Sequence, residues 1–213
     1  MLHYLLFNRP GSTLSKPETV QALLRRNPNM ARDIEEIAAW RQDTSDIVSI
    51  RPQLPFDCPL DLHAAYGSNE IKAALGVATL ETAGPTGTGV IHVKDLRAYL
   101  HFVTFNKSDK DFSPTNRYHD YLLNRAQLHW ESMSTTTRAS VTGQNYIHFG
   151  ERGYTILFFA RLNKDVGGIT SPFTYLGPAR ALLHCEGDRP IRMIWELAHP
   201  VPAEMYEQNC VGG

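Results

Sequence analysis

The sequence predicts an α+β fold in which N-terminal helices precede an antiparallel β-barrel or strongly curved sheet. Apolar residues recur at helical spacing up to about residue 76, and from residue 89 they recur with the period of two that is typical of strands. Gly, Pro and Asp bound these strand-like segments, and no long helix separates them, which is typical of antiparallel architectures. We therefore expect a helical region with a linker over residues 1–59 and a β-rich domain over residues 60–213.

Three helices are predicted before the strands begin. Ser15 and Pro17 mark the start of the first helix, and Asn27 marks its end. Apolar residues at helical spacing predict a second helix over residues 30–41, and a cap followed by a glycine stop predicts a third over residues 68–76. Because the chain has little charge segregation, we expect the first two helices to pack on the β-rich domain; the alternative is a docking surface for a partner.

The remaining elements follow from the change of period. Residues 120–127, after a polar loop over residues 106–116, predict a short helix. The segment 153–162 is apolar throughout and predicts a strand that is buried on both faces. The predicted strands are residues 89–93, 98–105, 129–133, 145–149, 153–162, 173–185 and 189–197.

Composition excludes several classes of protein. The chain has 213 residues, 42% of them hydrophobic and 20% charged, as in ordinary globular proteins. A net charge of -1 does not fit a protein that coats polyanions through its overall charge. The three cysteines are far apart and the nine histidines form no HxxxH or HxH cluster, so we expect neither a metal, a cofactor nor a disulfide framework. Without a signal peptide or an apolar run of roughly 20 residues, a cytoplasmic protein that does not bind membranes is expected.

Side chains suited to nucleic-acid contact concentrate between residues 107 and 134. Basic residues around one loop are suited to phosphates, and an indole beside small hydroxyl groups is suited to base stacking. The alternatives are that Trp130 fills the core and that the loop charges are merely solvated. The candidate nucleic-acid-binding residues are Lys107, Lys110, Arg117, Tyr118, Tyr121, Arg125, His129, Trp130, Ser132 and Ser134.

No motif defines a reaction, so no catalytic residue is predicted. His119 and Asp120 are residue types that can serve as a general base and as the acidic residue that orients it. Side chains of adjacent residues, however, rarely point in the same direction. His184 and Cys185 are neighbours on a predicted strand and therefore face opposite sides. Ser132 lacks the surroundings of an activated nucleophile. These observations favour a non-enzymatic protein.

Several short motifs follow one another in order along the chain. They are LHAAYGSNEI at 62–71, FNKS at 105–108, FSPT at 112–115, YHDY at 118–121, LHWES at 128–132, ILFFAR at 156–161, YLG at 175–177 and WEL at 195–197. This ordered series resembles an uncharacterised bacterial domain at the C-terminus of DEAD/DEAH-type superfamily 2 helicases, often behind a phospholipase-D-like nuclease. The resemblance covers about residues 60–206, with Ala65 and Met133 standing where that family usually has arginine and glutamine. The chain has no GxxxxGK[ST] loop and no DEAD box, so the resemblance implies neither ATPase nor strand-separating activity.

Together these features predict a nucleic-acid-binding module, with DNA as the expected partner and the reading of a modified base or a DNA end as its candidate role. The resemblance implies a setting in bacterial DNA processing, restriction or antiviral defence. One alternative is a protein-interaction module that docks on a helicase or nuclease partner. The other is a small nuclease, for which the sequence offers no recognisable metal-binding motif.

Overall fold

A computed structural model describes Tyr4 and residues 20–44, 49–86, 89–106 and 120–211. Within these residues the helices are α1 (Val20–Arg26), α2 (Pro28–Thr44), α3 (Ser68–Ala74), α4 (Val141–Ile147) and α5 (Ala203–Val211). The strands of the same residues are β1 (Ala65–Tyr66), β2 (Val90–Val93), β3 (Ala98–Asn106), β4 (Tyr121–Asn124), β5 (Gln127–Glu131), β6 (Thr155–Asn163), β7 (Asp165–Val166), β8 (Ile169–Thr170), β9 (Phe173–Glu186) and β10 (Arg192–Leu197).

Eight strands form one sheet in the order β2-β3-β6-β9-β10-β5-β4, and β1 pairs with the start of β9. The pair β3–β6 is parallel, whereas the other described pairs of this sheet are antiparallel. In the parallel pair, Thr104 is the register partner of Arg161, and Asn106 is the partner of Asn163. The carboxyl ends of β3 and β6 therefore lie side by side at the same end of the sheet.

The predicted antiparallel β-barrel or strongly curved antiparallel sheet is wrong, because the sheet is open and mixed. Its end strands, β2 and β4, are not paired with each other in the described part of the chain. Helix α5 lies along the edge of β4 instead, and Asn209 Oδ1 accepts a hydrogen bond from the Leu122 backbone N–H at 3.2 Å. A helix that hydrogen-bonds to an edge strand in this way covers that edge, so the sheet does not need to close into a barrel. Helices also follow the strands, so the fold is mixed α/β.

Two predicted elements are wrong, and local hydrogen bonds explain both. The helix predicted over residues 120–127 is β4 and a turn, in which Asn124 Oδ1 accepts a hydrogen bond from the Ala126 N–H at 2.8 Å. The strand predicted over residues 145–149 falls in α4 and the turn after it, because Ser140 Oγ caps this helix by accepting from the Gly143 N–H at 3.1 Å. The other six predicted strands are confirmed, with shifts at their ends.

Strands β3 and β6 separate two hydrophobic cores, because their alternate residues point to opposite faces of the sheet. Tyr99 and Phe158 belong to the first core, while Leu100 and Phe159 belong to the second. Residues from Ile156 to Ala160 are all buried, which confirms the prediction of a strand buried on both faces. The two cores therefore meet the same pair of strands from opposite sides.

The N-terminal helices are less buried than the sheet. Helix α1 has no buried residue, and Ile37 and Trp40 of α2 are 62% and 61% exposed. Tyr4, by contrast, is buried, and its hydroxyl lies within hydrogen-bonding distance of the carbonyl oxygens of Thr79 and Thr82. The apolar face of α2 is only partly covered by described residues. The division of the chain at residue 59 stays a prediction.

Candidate functional site

Trp130 of β5 packs inside the first core. Its side chain is 4% exposed, and its ring lies 4.3 Å from the His101 ring, measured between centroids. Tyr146 of α4 meets the indole edge-on at 5.5 Å. An indole enclosed by aromatic neighbours contributes mainly to stability. Trp130 therefore fills the core, which is the alternative that the sequence left open. This packing does not favour its stacking on a base.

His101 lies at the centre of the same aromatic cluster. Phe158 and Trp195 also contact its ring, and neither ring nitrogen has a hydrogen-bond partner among the described residues. Complete burial lowers the pKa of His101 from its ordinary value of 6.5 to about 3. The imidazole is therefore neutral at physiological pH. Fully buried among aromatic rings, His101 contributes to packing.

Tyr121 and His129 are brought together by the pairing of β4 with β5. Their rings stack with centroids 4.6 Å apart and planes 15° from parallel. Tyr121 is 46% exposed, so this pair presents one accessible aromatic side chain. Arg125, in the turn between the two strands, is exposed, and its Nε donates a hydrogen bond to the Val201 carbonyl at 2.8 Å.

The two serines lie after β5 and differ in environment. Ser132 is fully buried, where its Oγ accepts a hydrogen bond from the Ile191 N–H at 3.0 Å and donates to the Met133 carbonyl. Ser134 is exposed. The hydroxyl of Ser132 therefore holds the chain in place instead of facing a ligand. Four other predicted residues lie outside the described part of the chain: Lys107, Lys110, Arg117 and Tyr118.

A cavity of about 570 Å³ lies on the opposite face of β3, at the carboxyl ends of the parallel strands. Ligand sites in open sheets often lie at this position, because polar side chains at neighbouring strand ends converge there. The residues that line the cavity are Ser68, Asn69, Lys72, Pro85, Thr86, Gly89, Ile91, Phe102, Thr104, Arg161, Lys164, Thr170 and Phe173.

Arg161 is held in a fixed position within this cavity. Its Nε donates a hydrogen bond to Thr104 Oγ1 at 3.0 Å, which follows from their pairing in the parallel register. Its Nη1 donates to the Ser171 carbonyl at 3.0 Å, and the guanidinium carbon lies 4.2 Å from the centroid of the Phe173 ring. A planar guanidinium fixed from three sides is suited to the directional binding of an oxyanion.

Lys72 is the most buried cation of the cavity. It lies in α3 and is only 4% exposed. Its Nζ donates a hydrogen bond to the Pro85 carbonyl at 3.2 Å, and burial lowers its pKa. A neutral carbonyl compensates a buried ammonium group less than a carboxylate does. The environment of Lys72 is therefore improved by any anion that enters the cavity.

The charged residues that the structure describes in the wall of the cavity are basic. Lys72, Arg161 and the exposed Lys164 line it, and none of the described lining residues is Asp or Glu. Hydroxyl groups of Ser68 and three threonines add neutral hydrogen-bonding partners. Sequence reasoning missed this site because Lys72 and Arg161 are 89 residues apart, and because a single lysine within a helix carries no motif. Chemically, the arrangement is suited to binding an anion beside the ring of Phe102.

A second cavity, of about 500 Å³, also includes Arg161 in its wall. It differs from the first because the carboxylate of Glu204 and the imidazole of His63 line it as well. Burial and nearby positive charges lower the pKa of His63, so its ring favours the neutral form. With a carboxylate present, this cavity selects less strongly for anions than the first.

Among the residues that the structure describes, no three His, Cys, Asp or Glu side chains are arranged to hold a metal ion. None of the described helices combines the length and apolar character that crossing a bilayer requires.

The described residues thus define a mixed α/β protein with an open sheet and a cation-lined cavity beside its parallel strands. The chain belongs to the family described as a domain of unknown function (DUF3427), whose profile matches residues 60–209. This match includes all the sheet strands and every residue that lines the first cavity, whereas α1 and α2 precede it. No curated protein matches the chain.

Proposed function

We propose that this chain is a nucleic-acid-binding module, and that the cavity between Lys72, Arg161 and Lys164 holds a phosphate group. Support comes chiefly from three basic side chains, those of Lys72, Arg161 and Lys164, that line one cavity. Lysine and arginine are the usual partners of nucleic-acid phosphates. Phe102 supplies an aromatic surface in the same cavity, beside which a sugar or base can pack.

A local site is required because the chain as a whole does not attract polyanions. Its net charge is -1, so the long-range field contributes little to binding. The few cations that contact phosphate then determine both the affinity and its dependence on salt. For the same reason, reversing one cavity charge has a larger effect than reversing a charge elsewhere.

We also propose that this binding serves bacterial DNA processing, restriction or antiviral defence, beside a helicase or nuclease. Support comes from the motifs that resemble the C-terminal domain of superfamily 2 helicases; the family description itself assigns no function. The reading of a modified base by Trp130 has less support, because its ring faces are covered in the first core. Phosphate binding does not depend on that residue.

The test is a fluorescence-anisotropy titration of the full chain with single-stranded and duplex DNA over a range of salt concentrations. We expect Lys164→Glu to weaken binding and to lower the slope of log affinity against log salt by about one, as the loss of one phosphate contact requires. Lys164 suits this test because it is exposed, so its replacement leaves the core unchanged.

Lys94→Glu is the matched control. Lys94 is also an exposed lysine, but it lies in the turn between β2 and β3, at the opposite end of β3 from the cavity. We expect this variant to bind like the unmodified chain. Equal weakening by both variants would contradict phosphate binding in the cavity. The absence of binding to either form of DNA at low salt would contradict the proposed function.

A second candidate function is docking on a protein partner through α2. The observation that favours it is the exposure of Ile37 and Trp40, which are three residues apart and share a face of the helix. Trp130 and Trp195 are buried, so binding of a purified helicase or nuclease at α2 would shift the emission of Trp40. If the double variant Ile37→Glu, Trp40→Glu binds that partner with unchanged affinity, docking at α2 is ruled out.

A further inference from the structure

We infer that the second cavity binds a nucleobase that carries an amino group, such as cytosine, with the Glu204 carboxylate and the His63 ring as its hydrogen-bond acceptors. This inference rests on the proposed function, because it takes the base to belong to a nucleic acid, but it concerns a different cavity from the phosphate position. Three features support it: an imidazole nitrogen without a partner, a wall that supplies further acceptors, and apolar side chains around a space of suitable size.

His63 carries an acceptor that the described residues do not satisfy. Its ring donates a hydrogen bond to the Pro200 carbonyl, and its buried Nε2 has no hydrogen-bond partner among those residues. Because burial lowers the pKa of His63, the ring is neutral and has one N–H, which the Pro200 carbonyl already accepts. Nε2 therefore keeps a lone pair. Since the ring lines the second cavity, a ligand there can supply the missing donor.

The backbone of His63 adopts a conformation that its surroundings impose. Its φ is 64°, in the left-handed region that residues other than glycine occupy infrequently. The His63 N–H donates a hydrogen bond to the Tyr175 carbonyl at 2.8 Å, and the Tyr175 N–H donates to the Ala64 carbonyl at 3.0 Å. Strained residues that are held in this way cluster at binding sites. Here the strained residue is one whose ring lines a cavity.

The other polar side chains of the cavity favour a ligand that donates hydrogen bonds. Glu204, on α5, supplies carboxylate oxygens, which accept hydrogen bonds and disfavour an anion. Gln208 Nε2 donates to Glu204 Oε1 at 3.2 Å and so orients the carboxylate. Asn163 Oδ1 accepts from Asn106 Nδ2 at 3.2 Å, so the Asn163 amide nitrogen can donate to an acceptor of the ligand. Pairing of a carboxylate with the amino group of cytosine is an established base contact, and cytosine carries acceptors beside that group.

Apolar side chains of the cavity provide surfaces for the two faces of a planar ring. Val166 is 64% exposed, so a ring bound there would remove apolar surface from water, which favours binding. A volume of about 500 Å³ lies within the range of cavities that enclose small molecules and accommodates one nucleoside. The apolar residues that line the cavity are Leu162, Val166, Pro172, Pro202 and Met205.

Arg161 relates the second cavity to the first. Its side chain lines both, so the two cavities are neighbours. A strand whose phosphate occupies the first cavity can therefore place a base in the second. This proximity favours a nucleobase over other uncharged ligands that donate hydrogen bonds.

The experiment titrates the full chain with deoxycytidine and with deoxyuridine by isothermal calorimetry. These nucleosides carry no phosphate, so they report on the base site alone. They differ in whether the pyrimidine ring carries an amino group or an oxygen at the same position. We expect deoxycytidine to bind about tenfold more tightly, because the acceptors of the cavity pair with the amino group and face the oxygen of deoxyuridine unfavourably.

Glu204→Gln is the decisive variant, since glutamine keeps the length of the side chain and replaces one acceptor oxygen by a donor. We expect the preference for deoxycytidine to be lost. Glu204 is exposed, so the fold should be unaffected, which thermal melting will verify. Glu207→Gln is the matched control, because Glu207 is exposed on the same helix and does not line the cavity. This control should keep the preference.

His63→Asn tests the second acceptor. Asparagine adopts the left-handed backbone more readily than most residues, so the segment should still fold. We expect the variant to bind deoxycytidine several-fold more weakly, because its shorter side chain lacks Nε2. In the unmodified chain, the nitrogen NMR resonance of His63 Nε2 should shift when deoxycytidine is added. An unchanged affinity together with an unshifted resonance would overturn the assignment of His63.

Three outcomes would overturn the inference as a whole. They are the absence of nucleoside binding by a chain that binds DNA, equal affinity for the two nucleosides, and a preference that persists in a folded Glu204→Gln chain. All three leave the proposed binding of nucleic acid intact. Binding of deoxycytidine by a chain that binds no DNA is a different result: it would contradict the proposed function and assign the cavity to a free nucleoside.

Discussion

Consecutive residues of β3 point to opposite faces of the sheet, and the surroundings on these two faces differ in kind. His101 points into a closed cluster of aromatic rings, whereas Phe102 and Thr104 line a cavity that contains three cations. The sequence draws attention to the first face, because the aromatic residues around Trp130 are easy to recognise. The structure places a cavity lined by basic side chains on the second. The comparison teaches that aromatic density indicates a core, while basic side chains that line one cavity from distant segments indicate a candidate ligand site.

The two faces also differ in what they contribute to stability. Burial of aromatic side chains such as Trp130 and Trp195 stabilises the folded chain. Lys72 and Arg161, by contrast, line one cavity, and like charges that share a cavity contribute repulsion rather than stability. Functional sites commonly break local rules of stability in this way. Substitutions on the two faces should therefore separate stability from binding.

The largest effect is expected from Trp130→Ala. Removal of an enclosed indole should lower the free energy of unfolding by about 3 to 5 kcal/mol, since both transfer and cavity costs apply. Urea denaturation followed by circular dichroism measures this loss. A loss below about 1 kcal/mol, together with weakened DNA binding, would contradict the packed role and return Trp130 to the candidate site.

The pH dependence of stability tests the same face through His101. Its pKa is about 3 in the folded chain and 6.5 ordinarily, so the unfolded chain takes up the proton first as the pH falls. The stability that neutral His101 contributes is complete above pH 6.5 and decreases toward pH 3, by about 1.4 kcal/mol per pH unit. In His101→Leu this contribution to the acid dependence should be absent.

Urea denaturation at several pH values between 7 and about 4 provides the comparison, over the window that the two pKa values define. His184→Leu serves as the control, because His184 is exposed on β9. If His101→Leu and the unmodified chain lose the same unfolding free energy as the pH falls, the pKa of His101 is not lowered in the folded chain.

A pair of hydroxyl deletions separates the two faces directly. Thr104→Val removes the acceptor of Arg161 Nε in the cavity, and Ser132→Ala removes the acceptor of the Ile191 N–H beside the first core. Each should lower the free energy of unfolding by about 1 to 3 kcal/mol, because a donor loses its partner. Only Thr104→Val should also weaken DNA binding in the anisotropy titration. If both variants weaken DNA binding equally, the two faces of β3 do not differ in their contribution to binding.

The smallest effect is expected from Trp40→Ala on α2. Trp40 is 61% exposed, so its truncation should change the free energy of unfolding by no more than about 0.5 kcal/mol. The same urea denaturation that is used for Trp130→Ala gives a comparison of two tryptophans at opposite extremes of burial. A loss of several kcal/mol would indicate that α2 packs more closely than its exposure implies.

Much of the strand content could be predicted, whereas the connections between strands could not. β3, β6 and β9 are long, apolar and bounded by polar turns, so their pattern identifies them without tertiary information. The parallel pairing of β3 with β6 joins segments that are about 57 residues apart, and nothing in either segment specifies its partner. A short apolar run such as 121–123 likewise forms a strand only because Leu122 pairs with Leu128 of β5.

The candidate site shows the same division. The resemblance and the family match cover nearly the same residues, and the motif at 156–161 ends on Arg161, yet its partners in the cavity come from distant segments. The predicted residues that are described are either enclosed, as are Trp130 and Ser132, or exposed, as is Tyr121. Their chemical types were read correctly, but burial depends on neighbours that a linear pattern does not reveal.

The sequence by itself determined the long strands, the third helix and the alternation that sends His101 and Phe102 to opposite faces, because these depend on local period and turn chemistry. Tertiary structure alone decided that the sheet stays open, since α5 covers the edge of β4 through Asn209. It also decided that Lys72 and Arg161 share a cavity. Charges separated by 89 residues acquire a common environment only when the chain folds.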